Sequence, residues 1–159
     1  MGDLHQPLHV DLNSIWNGND YYIQWYGNTT CTVSGYSDPC QLHEVWDTLL
    51  IEKRLLDFGP PPLPGQTDPR ETLFAESIIE SLGQLCVVLG YEYDATYWAS
   101  ETVSTAAMAY LIPEYSNLDD WYYNNSIPIV ELQLYKAGRR IAQDMNFIFS
   151  GYVKTCSSR

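Results

Sequence analysis

Histidine is scarce in this chain: three residues in 159, His5, His9 and His43. Basic residues are scarce too, 8 Lys and Arg against 20 Asp and Glu, for a formal charge of -12. That balance opposes nonspecific binding to nucleic acid, whose affinity is largely phosphate neutralisation by Lys and Arg. It leaves open a site where bound metal ions carry the local positive charge. No apolar run approaches the length of a transmembrane helix, because Gly, Glu or Gln interrupt each one. Residues 1–10 lack the basic and apolar regions of a signal peptide. No internal repeat is present. There are four cysteines, which allow three pairings. Cys31 and Cys40 bracket a Gly/Ser/Pro loop and form the most natural local bridge, whereas Cys86 and Cys156 stand apart.

The three histidines fall in two short segments rich in carboxylates and proline: Gly2-Asp3-Leu4-His5-Gln6-Pro7-Leu8-His9-Val10 and Leu42-His43-Glu44-Val45-Trp46-Asp47. His43 and Asp47 are spaced i, i+4, so on a helix both point the same way. His9 arrives from elsewhere to complete a two-histidine, one-carboxylate set, a donor combination that suits zinc and leaves a coordination position open. Taken alone, His43 is more often a packing or hydrogen-bonding residue than a ligand; the company of His9 and Asp47 favours the ligand reading. His5 and His9 have the same i, i+4 spacing, but Pro7 between them disfavours helical geometry for Gln6, so they are not expected to share a face. Asn19 and Asp20 lie beside the first motif in sequence and are nominated as substrate-side residues.

The coarse pattern predicts a mainly α-helical fold with one small β-hairpin excursion. A helix end at Asp3–Gln6 leads into an extended segment. Tyr21–Tyr26, aromatic and β-branched, is expected to be a strand or hairpin arm. A helix is expected from Leu42 to Asp57, stopped by the Pro-rich connector at residues 59–65. Another begins with Asp68 as cap and Pro69 in the first position, carries Leu73, Phe74, Ile78, Leu82, Leu85 and Leu89 on its apolar face, and closes at Gly90. A third spans Asp94 to Leu111. The last is expected to start with Ser126 as cap and Pro128 in its first turn, and to run to Ser150. Val130, Leu134, Ala137, Ile141, Met145 and Ile148 form its buried stripe. The 13 tyrosines and 5 tryptophans are taken mostly as core and amphipathic surface residues. Asn28-Thr29-Thr30 and Asn124-Asn125-Ser126 are glycosylation sequons, which modestly favour secretion.

Gly2-Asp3-Leu4-His5-Gln6-Pro7-Leu8-His9-Val10, Gly18-Asn19-Asp20 and Leu42-His43-Glu44-Val45-Trp46-Asp47, in that order, resemble motifs of the zinc-dependent single-strand-specific nucleases of fungi and plants. Those enzymes share a fold with bacterial zinc phospholipases C. Two weaker matches follow in the same order: Tyr97-Trp98-Ala99-Ser100-Glu101-Thr102, and Pro128 to Leu134 with Ala137 to Ala142. The resemblance covers nearly the whole chain and implies a phospholipase C/nuclease-like helical fold, with residues 1–159 as the C-terminal part of a single zinc nuclease domain. It implies hydrolysis of single-stranded DNA and RNA to 5′-nucleotides, and removal of 3′-phosphates from 3′-nucleotides, at three zinc ions. By resemblance, His9, His43 and Asp47 hold one zinc, and Asp3 is a catalytic carboxylate that bridges the other two. The remaining ligands of that close pair, an N-terminal Trp among them, have no counterpart in these 159 residues. The chain is therefore expected to be impaired alone, secreted, and to carry its signal peptide on an N-terminal part. A zinc phospholipase C of the same fold, or a non-catalytic secreted glycoprotein holding one zinc, are the alternative readings.

Overall fold

The computed structural model describes residues 1–11, 16–33, 35–83 and 95–151. Its centre is a helical rod over residues 42–58. The rod comprises α1 (Leu42–Glu44), a π-helical segment (Val45–Leu49), α2 (Leu50–Leu55) and a closing 3-10 turn (Leu56–Phe58). Leu42, Val45, Trp46, Leu49 and Leu50 are buried along one side, the i, i+3, i+4 spacing of an amphipathic helix. His43 and Asp47 stand on the adjacent face. Gly59, at φ 126°, ends the rod, and the expected helix from Leu42 to Asp57 is present almost to the residue.

α3 (Pro69–Leu82) starts as expected: the Asp68 carboxylate accepts from the Arg70 backbone N–H at 2.9 Å, with Pro69 in the first turn. Phe74 and Ile78 are buried and Leu82 packs beside them. Leu73, one residue off that face, is exposed. Leu85, Leu89 and Gly90, like Cys86 and Cys156, lie outside the described residues.

α4 (Ala95–Ala106) ends earlier than the expected Leu111. Met108 and Ala109 donate backward to Thr105 and Ala106, tightening the end to i, i+3 turns. The Ala109 carbonyl is taken by the Tyr122 hydroxyl at 2.9 Å, and that hydroxyl also accepts from Trp46 Nε1 at 2.7 Å. A buried polar chain thus ties α4's exit to the rod and to the last helix.

α5 (Asp120–Ser150) begins seven residues before the expected start. Asp119, not Ser126, is the cap, its carboxylate accepting from Trp121 N–H at 3.0 Å. Pro128 sits inside the helix on its exposed side, where water can satisfy the carbonyl its missing N–H would have bonded. The buried face also differs from the expected stripe. Val130 and Ala137 are buried, but their companions are Gln133 and Arg140. Leu134, Ile141, Met145 and Ile148 are exposed to between 41% and 68%, roughly one side-chain step round the helix. The stripe was assigned on hydrophobicity, and two polar residues took the inward positions.

The β structure is small. β1 (Gln24–Trp25) pairs in parallel with β4 (Asn117–Leu118), and Tyr26, at φ 51°, turns the chain away, so the expected 21–26 strand is only two residues long. The hairpin lies instead in the stretch taken for a loop: β2 (Thr30–Val33) pairs antiparallel with β3 (Tyr36–Pro39). The expected Cys31–Cys40 disulfide closes its base, and both residues are buried. Replacing both with serine is expected to lower stability by about 2–3 kcal/mol, given the short loop the bond closes. Denaturant unfolding of the oxidised protein against the double variant measures this, with non-reducing peptide mapping to verify the linkage.

Candidate metal centre

Two short 3-10 turns, Asp3–His5 and Pro7–His9, present the first segment. Leu8 is fully buried and Pro7 nearly so, which pins the second turn to the core and leaves His9 at its edge. Gln6 links this segment to the rod. Its side-chain oxygen accepts from Leu8 N–H, and its Nε2 donates to Asp47 Oδ1 at 2.6 Å. Asp47 comes from the π-helical segment, a geometry that recurs where a helix must present a functional side chain.

Three donor atoms converge. His9 Nε2 lies 3.1 Å from His43 Nε2 and 3.2 Å from Asp47 Oδ1, and His43 Nε2 lies 3.3 Å from Asp47 Oδ2. The two imidazoles stack at 4.9 Å between centroids. His43 Nδ1 is 2.7 Å from the Asn17 carbonyl, which can only accept, so Nδ1 carries the proton and Nε2 presents a lone pair. His9 Nδ1 faces the Asp3 carboxylate at 2.8 Å, off the angle of a good hydrogen bond. With His9 in the same tautomer, two imidazole lone pairs and a carboxylate point at one volume. A single shared proton satisfies part of that set, and a divalent cation satisfies all of it. Two imidazoles and a carboxylate are donors that suit a divalent metal with an open position, and the Asn17 carbonyl on His43 Nδ1 is an outer partner of the kind that orients a ligating ring. His9, His43 and Asp47 could therefore hold a metal ion.

The electrostatics of the three are already coupled. Donation from the protonated His43 ring to the Asp47 carboxylate raises His43 above the ordinary histidine range, against the opposing effect of burial. Burial pushes Asp47 upward, but hydrogen bonds from His43 and Gln6 outweigh it and hold the carboxyl below its ordinary value.

The other nominated residues fall around this centre. Asp3 is largely exposed and touches His9. His5 turns away from the cluster into the protein, in keeping with the proline between it and His9. Asn19 Nδ2 donates to the Trp16 carbonyl at 2.8 Å and Asp20 is exposed. Neither lines the cavity of about 270 Å³ beside the cluster, whose walls include Asp3, Gln6, Trp46, Asp47 and Gln133.

The roles of Gln6, Asn17 and Gly18 at this site were missed, although Gln6 and Gly18 stand inside the quoted motifs. Asn-Gly is a turn signal, and here Asn17 and Gly18 both have positive φ, 56° and 85°, which aims the Asn17 carbonyl at His43. A Cβ on Gly18 would lie 3.1 Å from the His43 backbone nitrogen and 3.2 Å from Leu8 Cδ1. Gly18→Ala is therefore expected to cost roughly 1–2 kcal/mol of stability and to weaken metal uptake at His43. Thermal unfolding and zinc titration of the variant check both.

The S1/P1 Nuclease family model matches residues 1–150. Endonuclease 4 of Arabidopsis thaliana is 30% identical over 163 residues, covering 99% of this chain and 50% of its own length. Nuclease S1 of Aspergillus oryzae is 27% identical over 161 residues, covering 94% and 52%. Nuclease P1 of Penicillium citrinum is 29% identical over 162 residues, covering 93% and 54%. The chain spans about half the length of the curated relatives it matches. A match over residues 1–150, with both histidine motifs inside it, means that this chain belongs to the S1/P1 nuclease family.

Proposed function

We propose that this chain is the C-terminal part of a single zinc nuclease domain that hydrolyses phosphodiester bonds of single-stranded DNA and RNA to 5′-nucleotides and acts on 3′-nucleotides. The observation that carries the reading is the convergence of His9, His43 and Asp47 within 4.8 Å of one another. When bound there, zinc supplies Lewis-acid stabilisation of a phosphate oxygen or a departing 3′ oxygen. His9 and His43 would hold it through their Nε2 atoms, with the His43 ring fixed by the Asn17 carbonyl on its Nδ1. Asp47, held by Gln6, adds the negative charge. Asp3, exposed in the lining of the cavity, would supply a carboxylate to the family's further metal position and would help to orient the nucleophile. Asn19 and Asp20 serve the substrate side. With a net charge of -12, grip on the phosphate falls to the metal centre rather than to a basic surface.

The disulfide, together with exposed Asn28 and Asn124, supports a secreted glycoprotein modified at both asparagines; oxidising compartments are where such bonds persist. A parallel assay of the longest in-frame protein on single-stranded DNA, a 3′-nucleotide and phosphatidylcholine tests the substrate class. The expected result is zinc-dependent release of 5′-nucleotides from DNA and of phosphate from the 3′-nucleotide. Hydrolysis of phosphatidylcholine alone would move the protein to the phospholipase branch.

A further inference from the structure

Beneath the metal centre lies a buried charged chain that takes no part in it. His5 is 3% exposed and Arg140 1%. His5 Nδ1 is 2.8 Å from the Met1 carbonyl, so that nitrogen donates. Its Nε2 is then an acceptor, and Arg140 Nη1 donates to it at 2.5 Å. Arg140 Nη2 pairs with Glu101 Oε2 at 2.6 Å, and the other Glu101 oxygen takes Lys136 Nζ at 2.9 Å. The guanidinium also lies over the Trp98 ring, 5.2 Å from its centroid. One arginine thus joins α4, α5 and the turn that carries Asp3.

A buried charge network is weak evidence for stability, since well-packed apolar side chains of similar volume often do as well. What apolar packing cannot do is fix direction. The Asp3–His5 turn is three residues of 3-10 helix, a geometry with little stiffness of its own. Gln6 and Leu8 anchor the next turn, but between residues 1 and 5 the only buried side chain is His5. The orientation of the Asp3 backbone, and through the Asp3 carboxylate the His9 ring, depends on where His5 is held. The planar fork of arginine, with one nitrogen on His5 and one on Glu101, sets that position; lysine has a single point of attachment. We infer that Arg140, acting through His5 and braced by Glu101, is a positioning residue for Asp3 and His9. This rests on the metal-centre reading above, and the test separates the two.

The chain has only three histidines, so long-range ¹H–¹⁵N spectra of residues 1–159 resolve each ring and report its tautomer without metal. In the wild type, His5 is expected as the Nδ1–H tautomer. Arg140→Lys keeps a cation for Glu101. The double variant Arg140→Gln/Glu101→Gln removes the buried cation together with its carboxylate, and leaves Lys136, which is partly exposed, to solvent. Both are expected to shift the His9 ring signals while the unfolding midpoint of the double variant stays near wild type. By calorimetric titration with zinc alone, both should bind about tenfold more weakly, the usual range for a partner one shell out from a metal. Unmoved His9 signals and wild-type zinc affinity in both variants would overturn the inference. So would zinc affinity that falls only in step with the unfolding midpoint, which would assign the network to stability alone. If the wild type itself takes up no zinc, the metal-centre reading fails, and the metal-free His9 signals still decide the role of Arg140.

Discussion

Zinc content is expected to fall from about one ion per chain in purified residues 1–159 to near zero in His43→Ala. His43 is placed by three independent features: the i, i+4 relation to Asp47, the Asn17 carbonyl on its Nδ1, and a stacked contact with His9. Removing its ring takes one of three donors and leaves a one-histidine, one-carboxylate remnant that cannot close around a metal. The loss should also be visible in stability. A ligand that binds only the folded state stabilises it by about 4 kcal/mol at a thousandfold excess over its dissociation constant, so zinc should raise the unfolding midpoint of the wild type and not of the variant. Metal analysis after exhaustive desalting gives the first quantity and thermal scans with and without zinc the second. Full zinc retention by His43→Ala would remove His43 from the site.

Single-stranded DNA is expected to be cleaved by residues 1–159 alone at least roughly a thousandfold more slowly than by a full-length relative. In-line displacement needs an activated nucleophile on one side of the phosphate and stabilisation of the leaving oxygen on the other. Among the described residues, His9, His43 and Asp47 are the one group of three donors close enough to share an ion, and Asp3 is the carboxylate proposed above for the opposite side. Whatever cleavage remains should disappear in Asp47→Asn, which keeps the shape of the side chain but removes its charge, and in Asp3→Asn. Initial rates on a fluorescent single-stranded oligonucleotide, with zinc added and with chelator, measure it. Robust zinc-dependent cleavage by the isolated residues would show that their own side chains suffice to place the nucleophile.

How legible these features were depended on how local their causes are. The rod over residues 42–58 was readable because its apolar period is strong and Gly59 with the following prolines stops it. The convergence of His9, His43 and Asp47 was readable because two of the three sit on that rod at i, i+4. The start of α5 was not, because Ser126-Ile127-Pro128 imitates a helix start that the stronger Asp119 cap overrides. Arg140 was invisible as a buried residue, since arginine is almost never fully buried unless paired; its partners His5 and Glu101 lie 135 and 39 positions away. The β2–β3 hairpin was passed over because Thr, Ser, Gly and Pro suggested a loop, although the disulfide at its base was the one expected. For the same reason the role of Asn17 and Gly18 needed the fold: a turn signal says that the chain bends, not which carbonyl meets which histidine.

The most direct measurement is X-ray absorption at the zinc edge on residues 1–159 loaded with one equivalent of zinc. The expected result is a low-coordinate shell of nitrogen and oxygen at roughly 2.0–2.2 Å, with the outer scattering of two imidazoles, reduced to one imidazole in His9→Ala. A sulfur shell near ~2.3 Å, or an oxygen shell without imidazole scattering, would place the metal elsewhere and contradict the assignment of His9, His43 and Asp47.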